Sequence, residues 1–594
     1  MVGPYTSRRS PVLSLGGGAS TDDPLATAAA IGTIFSTLGS TSVQVSRSHA
    51  SERSSLRFSR LDVASSTCAT EEEVLTRGGN AADAAVAAAA ALQVIKPYAT
   101  GIGGDCFALF YDANTRTVRC IDGSGPSPAA LTRERFAAGA DSGMEATVPG
   151  AVKGWFDTLR HCGSGRVSMS EVLAPAVRLA RDGFPVGVVN AAQWATYESK
   201  LGSLVGGGHF LPVPQAGQLL RNEPLADVLE RLGQEGPDAF YKGPVAEAVA
   251  AAVKSAGGVL EAADLLRHFA EGGDGLVLPV STTYRGTRVH TVPFPSHGSV
   301  LLEALNILEP FELRGMEQGT YAHLFVEALR LAFADGLAWV AHEGPARDGR
   351  MASKEHAKNR RVDVERALHW SEVDWPCAPE QSHTVFLVAA DERGNACSFI
   401  NSNFLGFGCA IVEQYGFSVH CRGRGFSTVA GHPNCAGPSK KPYHTLMPVL
   451  VTDDASGDWL AALGTMGGYT QPQVDLQIFL AMLEGGLDPQ SALDAPRLYI
   501  GDARTLRVDD PLYLEEGFPE EVAESLRRRG HRIEPHFLSS SPGSSRSMAH
   551  IVTRGSWWDR VSRRSVYDGP PILWFGCEPR SDGIAAAAPH QDKH

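Results

Sequence analysis

The feature that most constrains the fold is a change of pattern near residue 384. Residues 345–379 form a charged segment without helical or strand periodicity, with the composition of an exposed loop. Directly after it, Thr384–Ala390 is largely apolar, Asp391–Asn395 is typical of a turn, and Ala396–Asn401 is largely apolar again. We therefore expect a buried β-hairpin that follows a segment where a chain can be cut without dismantling the fold.

A threonine at the start of such a strand has a specific chemical use. Its hydroxyl is a weak nucleophile until a base removes the proton. If the chain is cut just before Thr384, the new α-amine lies beside the hydroxyl and titrates at about 7.7–8.0, so it can act as general base and then as general acid. Taken alone the pattern is weak, because threonine is also an ordinary choice for a β-strand.

Helix-like and strand-like patterns alternate along the chain, which favours a layered α/β or α+β architecture. Residues 1–59 are rich in Ser, Gly and Thr without a sustained period, and we expect them to be a mobile extension. The predicted helices are Glu71–Val94 with a break at Gly78-Gly79, Ser168–Arg181 with a start or kink at Pro175, and His323–Val340. The predicted early strands are Leu61–Ser65, Cys106–Tyr111 and Thr117–Ile121.

Composition narrows the classes of partner. The net charge of -13 gives no reason to expect nucleic acid or an anionic membrane. The 10 cysteines form no C-x-x-C pair and no His cluster accompanies them, so a zinc site is not expected. No other metal and no cofactor are predicted. No apolar stretch is long enough for a membrane helix, and the first 20 residues lack a secretory pattern, so we expect a soluble, cytoplasmic protein.

From about residue 60 onward the chain resembles the gamma-glutamyltransferase family, which includes glutathione hydrolases and related acylases. Several motifs in a fixed order are more specific than any one of them. The matching segments are Val63–Ser65, Arg77–Val86, Gly101–Gly104, Val148–Gly150, Pro175-Ala176, Pro293–Ser296, Glu327–Asp335, Asp391–Asn395, Phe407-Gly408, Pro442–Pro448 and Gly467-Gly468.

This resemblance implies an α+β Ntn-hydrolase fold, a four-layer αββα sandwich built from the two chains of one precursor. In that family the precursor cleaves itself before a threonine whose strand ends in a D-x-x-G-N-type turn. Counting back from Gly394-Asn395 places the cut at the His383–Thr384 bond. A large chain of residues 60–383 would then pair with a small chain of residues 384–594.

The resemblance also implies roles for residues near the nucleophile. Gly467 and Gly468 match glycines that donate backbone N–H groups to an oxyanion, although a glycine pair can also be a simple turn. Ser402 stands where the family has a threonine that holds the nucleophile's amine; it can also serve a local backbone group.

The chain departs from the family at the substrate anchors. Ser124 stands in place of the arginine that binds a glutamyl carboxylate, and Gly425 in place of the acidic partner of the ammonium group. His444 and Thr445 replace a pair of serines that touch the carboxylate. Arg422 is either a replacement partner for a substrate carboxylate or a surface charge on an exposed turn.

These observations favour a Thr-nucleophile amide hydrolase with a small-molecule amide substrate. The acyl group is gamma-glutamyl, as in glutathione, or another small carboxylate-bearing group, as in the oxamate amidohydrolases; hydrolysis is favoured over transfer. The alternative from another class is an unprocessed, inactive protein that acts as a binding scaffold. A Ser-His-Asp hydrolase is a weaker alternative, because Gly123-Ser-Gly125 and Gly163-Ser-Gly165 lack the full G-x-S-x-G context.

Overall fold

The computed structural model describes residues 12–14, 17–21, 23, 25–27, 74–75, 77–139, 143–360, 362–367, 383–501, 510–534, 547–555, 557, 572–581 and 584–587. The strands in these ranges are β1 (Val12–Ser14), β2 (Gly17–Thr21), β3 (Asp105–Asp112), β4 (Thr117–Gly123), β5 (Phe184–Pro185), β6 (Leu219–Leu220), β7 (Leu276–Val277), β8 (Val280–Tyr284), β9 (Thr287–Thr291), β10 (His383–Asp391), β11 (Ala396–Phe404), β12 (Ala410–Val412), β13 (Phe417–Val419), β14 (Val449–Asp453), β15 (Trp459–Thr465), β16 (Leu498–Ile500), β17 (Leu512–Leu514), β18 (Ala549–Arg554), β19 (Leu573–Cys577) and β20 (Ile584–Ala587). The α-helices are α1 (Ala81–Ile95), α2 (Arg133–Ala138), α3 (Ala151–Cys162), α4 (Met169–Asp182), α5 (Val188–Ala195), α6 (Glu198–Ser203), α7 (Glu223–Glu235), α8 (Asp238–Tyr241), α9 (Gly243–Ser255), α10 (Ala262–Glu271), α11 (Gly298–Leu308), α12 (Gln318–Trp339), α13 (Lys354–Lys358), α14 (Gln471–Leu483), α15 (Pro489–Asp494) and α16 (Glu520–Arg528).

Two antiparallel sheets form the centre of the molecule. Sheet I has the strand order β20-β2-β10-β11-β3-β4-β7, and sheet II has the order β1-β19-β18-β15-β14-β9-β8. Side chains alternate along β10, so Phe386 and Val388 join the apolar cluster between the sheets. Val385 and Leu387 point the other way and pack with the helices that cover sheet I. Because both faces of β10 are buried, its sequence is a nearly continuous apolar run.

The two outer layers are helical. Helices α1 and α4 belong to the core that covers sheet I, and α11, α12 and α14 belong to the core that covers sheet II. Helix α1 begins after the predicted break, where the Asn80 side chain caps its N-terminus by accepting from the N–H groups of Ala82 and Asp83. The predicted αββα arrangement is therefore confirmed.

Part of the N-terminal segment differs from the expectation of a mobile extension. Strand β1 pairs with β19, and β2 lies in sheet I between β10 and β20. That expectation is wrong for these strands: β2 is the short, small-residue run Gly-Gly-Ala-Ser-Thr, whose partner β10 lies far along the chain, so no local periodicity marked it. The predicted strand Leu61–Ser65 lies outside the described residues.

Two further predictions are modified. Pro175 lies inside α4 and does not start it, because the helix already begins at Met169 behind a Ser168 cap. The charged segment 345–379 includes α13 and short 3-10 turns in its first part, while residues 368–379 lie outside the described residues. Within the described ranges, no helix combines the length and apolarity needed to cross a membrane.

Candidate active site

Thr384 lies at the second position of β10, between the two sheets. It is fully buried, and its Oγ1 donates a hydrogen bond to Ser402 Oγ at 3.1 Å. The register of β10 with β11 shifts between His383 and Val385, and such an irregularity redirects a side chain next to a site. Ser402 Oγ also accepts from the Phe404 N–H at 2.8 Å. The predicted pair of Thr384 and Ser402 is thus in direct contact.

The two glycines lie where β15 gives way to α14. Gly467 has φ 122° and Gly468 has φ 59°, a backbone region that favours glycine. Among the described residues, neither backbone N–H donates a hydrogen bond, whereas the Gly467 carbonyl accepts from Thr470 N and Oγ1 at 3.1 and 2.9 Å. Both N–H groups precede the N-terminus of α14, whose dipole favours negative charge.

The glycine pair and Thr384 lie toward the same end of the sandwich. A Cβ on Gly464 of β15 would lie 2.4 Å from the Phe386 ring, so β15 packs against β10 close to Thr384. Gly467 follows Gly464 by three residues, and Thr384 precedes Phe386 by two. The arrangement is compatible with an oxyanion site at this end of the two sheets.

Asp105 was not among the predicted site residues, but it lies beside two of them, His444 and Arg422. It is fully buried and is paired in register with Ser402. Its Oδ1 accepts from the N–H groups of Gly125 and Gly150 at 3.3 and 3.2 Å. Its Oδ2 lies 3.1 Å from His444 Nε2. An acidic residue that opens an apolar strand directly after two glycines was the available signal.

The charge state of this centre follows from its contacts. Burial raises the pKa of Asp105, but His420 and His444 lower it further, and the net pKa is well below its usual range. Burial lowers the pKa of His444 to about 4, so its ring is neutral at pH 7. Its Nδ1 accepts from the Leu446 N–H at 3.2 Å, so Nε2 carries the proton that it donates to Asp105. His420, also missed from sequence, places Nδ1 3.4 Å from Asp105 Oδ2.

Arg422 is buried in this centre, so the interpretation as a surface charge is wrong. Its Nη1 donates to Thr445 Oγ1 at 3.0 Å, its Nε lies 3.9 Å from Asp105 Oδ2, and its Cζ lies 4.2 Å from the centre of the Phe404 ring. Burial lowers the pKa of Arg422 to about 10, which leaves it charged at pH 7. Within the described structure, neither Nε nor Nη2 has a hydrogen-bond partner. Two donors of a buried cation are therefore free to bind an anion.

Ser124 lies beside this centre but faces another group. It precedes Gly125, and its Oγ donates to Asp122 Oδ1 at 2.5 Å. It lines a cavity of about 210 Å³ together with Lys441 and His268. Ser124 therefore lies close to Asp105, but its hydroxyl is uncharged and is hydrogen-bonded to Asp122. It offers no cation to a substrate carboxylate.

We expect the Ser402 hydroxyl to matter for the reactivity of Thr384. Ser402→Ala should slow self-cleavage about 10-fold to 100-fold, because the buried hydrogen-bond partner of the Thr384 hydroxyl is lost. Ser402→Thr should retain most of the rate, since it keeps the hydroxyl. The rate is followed by gel electrophoresis of the purified precursor. Ser398→Ala is the matched control on the same strand, where Ser398 Oγ donates to the Leu463 carbonyl; equal slowing in both alanine variants would contradict the assignment.

Comparisons with known proteins show the family and the fold to which the chain is similar. The family model described as gamma-glutamyltranspeptidase matches residues 67–565. The glutathione hydrolase-like YwrD proenzyme of Bacillus subtilis (strain 168) is 33% identical over 481 residues, covering 78% of this chain and 88% of that protein. The oxamate amidohydrolase proenzyme of Klebsiella pneumoniae is 30% identical over 488 residues, with coverage of 78% and 88%. The solved structure of cephalosporin acylase from Bacillus halodurans matches with a TM-score of 0.79 at 30% identity, covering 100% of this chain and 99% of that one.

Proposed function

Because this chain belongs to the gamma-glutamyltranspeptidase family of self-processing Ntn amide hydrolases, we propose that Thr384 is its nucleophile and that Arg422 binds a carboxylate on the substrate's acyl group. Three observations support Thr384. It lies at the second position of a buried strand, its hydroxyl contacts Ser402, and it follows a charged segment in sequence. Strands β1 and β2 precede residue 60 and belong to the two sheets. We therefore propose that the large chain includes them together with the predicted residues 60–383.

Self-cleavage would begin with attack of Thr384 Oγ1 on the carbonyl carbon of His383. The C–N bond breaks, the hydroxyl proton passes to the departing nitrogen, and an ester links the two residues. Water then hydrolyses the ester, which leaves a carboxylate on His383 and a free α-amine on Thr384. The contact with Ser402 holds the hydroxyl for this step.

Substrate turnover would use the same oxygen. The free α-amine accepts the Thr384 hydroxyl proton as Oγ1 attacks the amide carbonyl. The N–H groups of Gly467 and Gly468 stabilise the developing oxyanion, and one such donor contributes roughly 10²–10³ in rate. The leaving amine takes the proton from the α-ammonium group, and water hydrolyses the acyl ester. We propose hydrolysis as the main outcome.

We infer the class of substrate from two N–H donors of Arg422, Nε and Nη2, which have no hydrogen-bond partner among the described residues. The guanidinium group is buried, charged and only partly balanced by Asp105 at 3.9 Å. It also stacks on Phe404, whose backbone N–H binds Ser402, and Ser402 binds the nucleophile. Phe404 has φ 70°, a strained value for a residue other than glycine, and such strain is concentrated at functional sites. A carboxylate held by Arg422 would therefore lie close to Thr384.

Gly425 argues against a gamma-glutamyl acyl group. A Cβ on Gly425 would lie 2.4 Å from the Tyr443 carbonyl oxygen, so an acidic side chain for a substrate ammonium has no room there. Ser124 is likewise committed to Asp122. We propose a small acyl group that carries a carboxylate and no α-ammonium, of the oxamate or succinamate type.

A matched panel of amides tests this proposal. Ammonia or amine release should be at least about 30-fold faster for succinamate than for butyramide, which has a similar acyl chain without the carboxylate. Oxamate and a gamma-glutamyl anilide complete the panel. Equal rates for succinamate and butyramide would exclude the carboxylate anchor, and fastest turnover of the gamma-glutamyl amide would show that the proposed acyl class is wrong.

A further inference from the structure

A second buried group of charged side chains lies in the helical layer over sheet II. Glu303 on α11, Asp335 on α12 and His356 on α13 converge there, and Arg360 follows α13. His356 Nε2 lies 2.8 Å from Asp335 Oδ2 and 3.2 Å from Glu303 Oε1. One ligand atom from each of the three residues lies within 4.8 Å of the other two. We call Glu303, Asp335 and His356 the Glu303 cluster.

Glu303 is the unusual member of the cluster. Its side chain is 0% exposed, and neither carboxylate oxygen accepts a hydrogen bond in the part of the chain that the structure describes. His356 Nε2 lies 3.2 Å from Glu303 Oε1, but its hydrogen bond is with Asp335 Oδ2. A buried carboxyl group is ordinarily hydrogen-bonded, paired with a cation or bound to a metal.

Arg360 does not satisfy Glu303. Its Nε donates to Asp335 Oδ2 at 2.7 Å and its Nη2 donates to Asp335 Oδ1, so the guanidinium group is committed to Asp335. Its Nε remains 3.9 Å from Glu303 Oε1, and its Cζ lies 5.7 Å from the centre of the Trp339 ring. This arrangement resembles the outer shell of a metal site, where a ligating carboxylate is itself hydrogen-bonded and so held in orientation.

We propose that the Glu303 cluster binds one divalent cation, Zn²⁺ or Mn²⁺, through two carboxylates and one imidazole. Carboxylate oxygen and imidazole nitrogen together suit these ions. Ligand atoms around an ion at about 2.1 Å are roughly 3.0–3.5 Å apart. The two distances to His356 Nε2, 2.8 and 3.2 Å, would need to change by only a few tenths of an ångström. The His356 side chain is 15% exposed, so one member of the cluster reaches the protein surface.

The site would have a structural role. Asp335 and Glu303 belong to long helices of the outer layer, whereas His356 belongs to the five-residue α13, which is too short to be stable alone. In chain order, α13 precedes the junction at Thr384. A bound ion would therefore fasten the C-terminal part of the large chain to α11 and α12. This inference does not depend on the identity of the nucleophile.

Titration of metal-free protein tests the site. After treatment with a chelating resin, the full-length chain should bind one equivalent of Zn²⁺ or Mn²⁺ by calorimetry. Saturating ion should raise the Tm by on the order of 3 °C, because the ion binds only the folded state. Glu303→Gln and His356→Gln should each lower the affinity at least about 10-fold. Glu355→Gln is the matched control, an exposed change of the same kind on the same short helix.

Three results would overturn the proposal. The first is no stoichiometric binding of either ion by the wild-type chain. The second is binding that both cluster variants leave unchanged, which would place the ion elsewhere. The third is a Glu303→Gln variant that is more stable than the wild type while the added ions change neither Tm; Glu303 would then be a strained carboxyl group beside Asp335 and not a ligand.

Discussion

Replacing Thr384 with alanine should leave the chain uncut at 63.1 kDa and lower amide hydrolysis by at least about 10⁴-fold. The alanine variant lacks the oxygen that we propose attacks the His383 carbonyl and later carries the acyl group. Because both reactions use one atom, they should fail together. Intact mass measurement follows the first reaction, and release of ammonia from an amide follows the second.

Two companion variants make this result specific. Thr384→Ser keeps a hydroxyl at the same place and should still be cut, at a lower rate. Thr452→Ala removes a buried hydroxyl from strand β14, where Thr452 Oγ1 is hydrogen-bonded to His290 Nε2 at 3.0 Å. This variant should be processed normally. Cleavage of the Thr384→Ala chain at its normal position, with normal amide turnover, would contradict the assignment.

Replacing Arg422 with methionine should lower kcat/KM for carboxylate-bearing amides by roughly 30-fold to 5,000-fold, since removing one partner of a buried charged pair costs about 2–5 kcal/mol. Methionine approximates the length of the apolar stem but removes every donor. Butyramide lacks the carboxylate, so its turnover should change much less. The loss of kcat/KM for succinamate, divided by the loss for butyramide, therefore measures the part of the effect that depends on the substrate carboxylate.

Self-cleavage serves as the folding control for this variant, because the scissile bond requires no bound substrate carboxylate. Arg424→Met is a matched control on the same turn, where the partly exposed Arg424 lies 3.7 Å from Glu145. Arg422→Lys retains the charge but not the planar fork and should recover only part of the activity. An equal loss for succinamate and butyramide in a normally processed Arg422→Met chain would contradict a carboxylate-binding role.

Sequence patterns predicted those secondary-structure elements whose signals lie within a short stretch of the chain. The β10–β11 hairpin was marked by two apolar runs around a turn, and the break before α1 was marked by two glycines. Strand β2 was not predictable in this way, because what stabilises it is the neighbouring edge of β10, more than 360 positions along the chain. Periodicity alone did not distinguish a layered α/β from an α+β architecture. The order of the motifs, through the family resemblance, indicated the αββα sandwich.

The candidate site was only partly predictable for a similar reason. Thr384 and Ser402 could be paired by counting along motifs, and they are in contact. The centre formed by Asp105 depends on burial and on strand register, neither of which a sequence displays. The run Arg422-Gly-Arg-Gly suggests an exposed turn, yet the fold buries Arg422 against Phe404 and Asp105. The lack of room at Gly425 comes from the Tyr443 carbonyl and is likewise visible only in three dimensions.

Sequencing the N-terminus of the smaller fragment of the purified, active protein tests the central claim most directly. We expect Thr384-Val385-Phe386 as the first residues, in a fragment that remains bound to the larger chain. A smaller fragment that begins elsewhere, or an intact chain that hydrolyses amides, would contradict it.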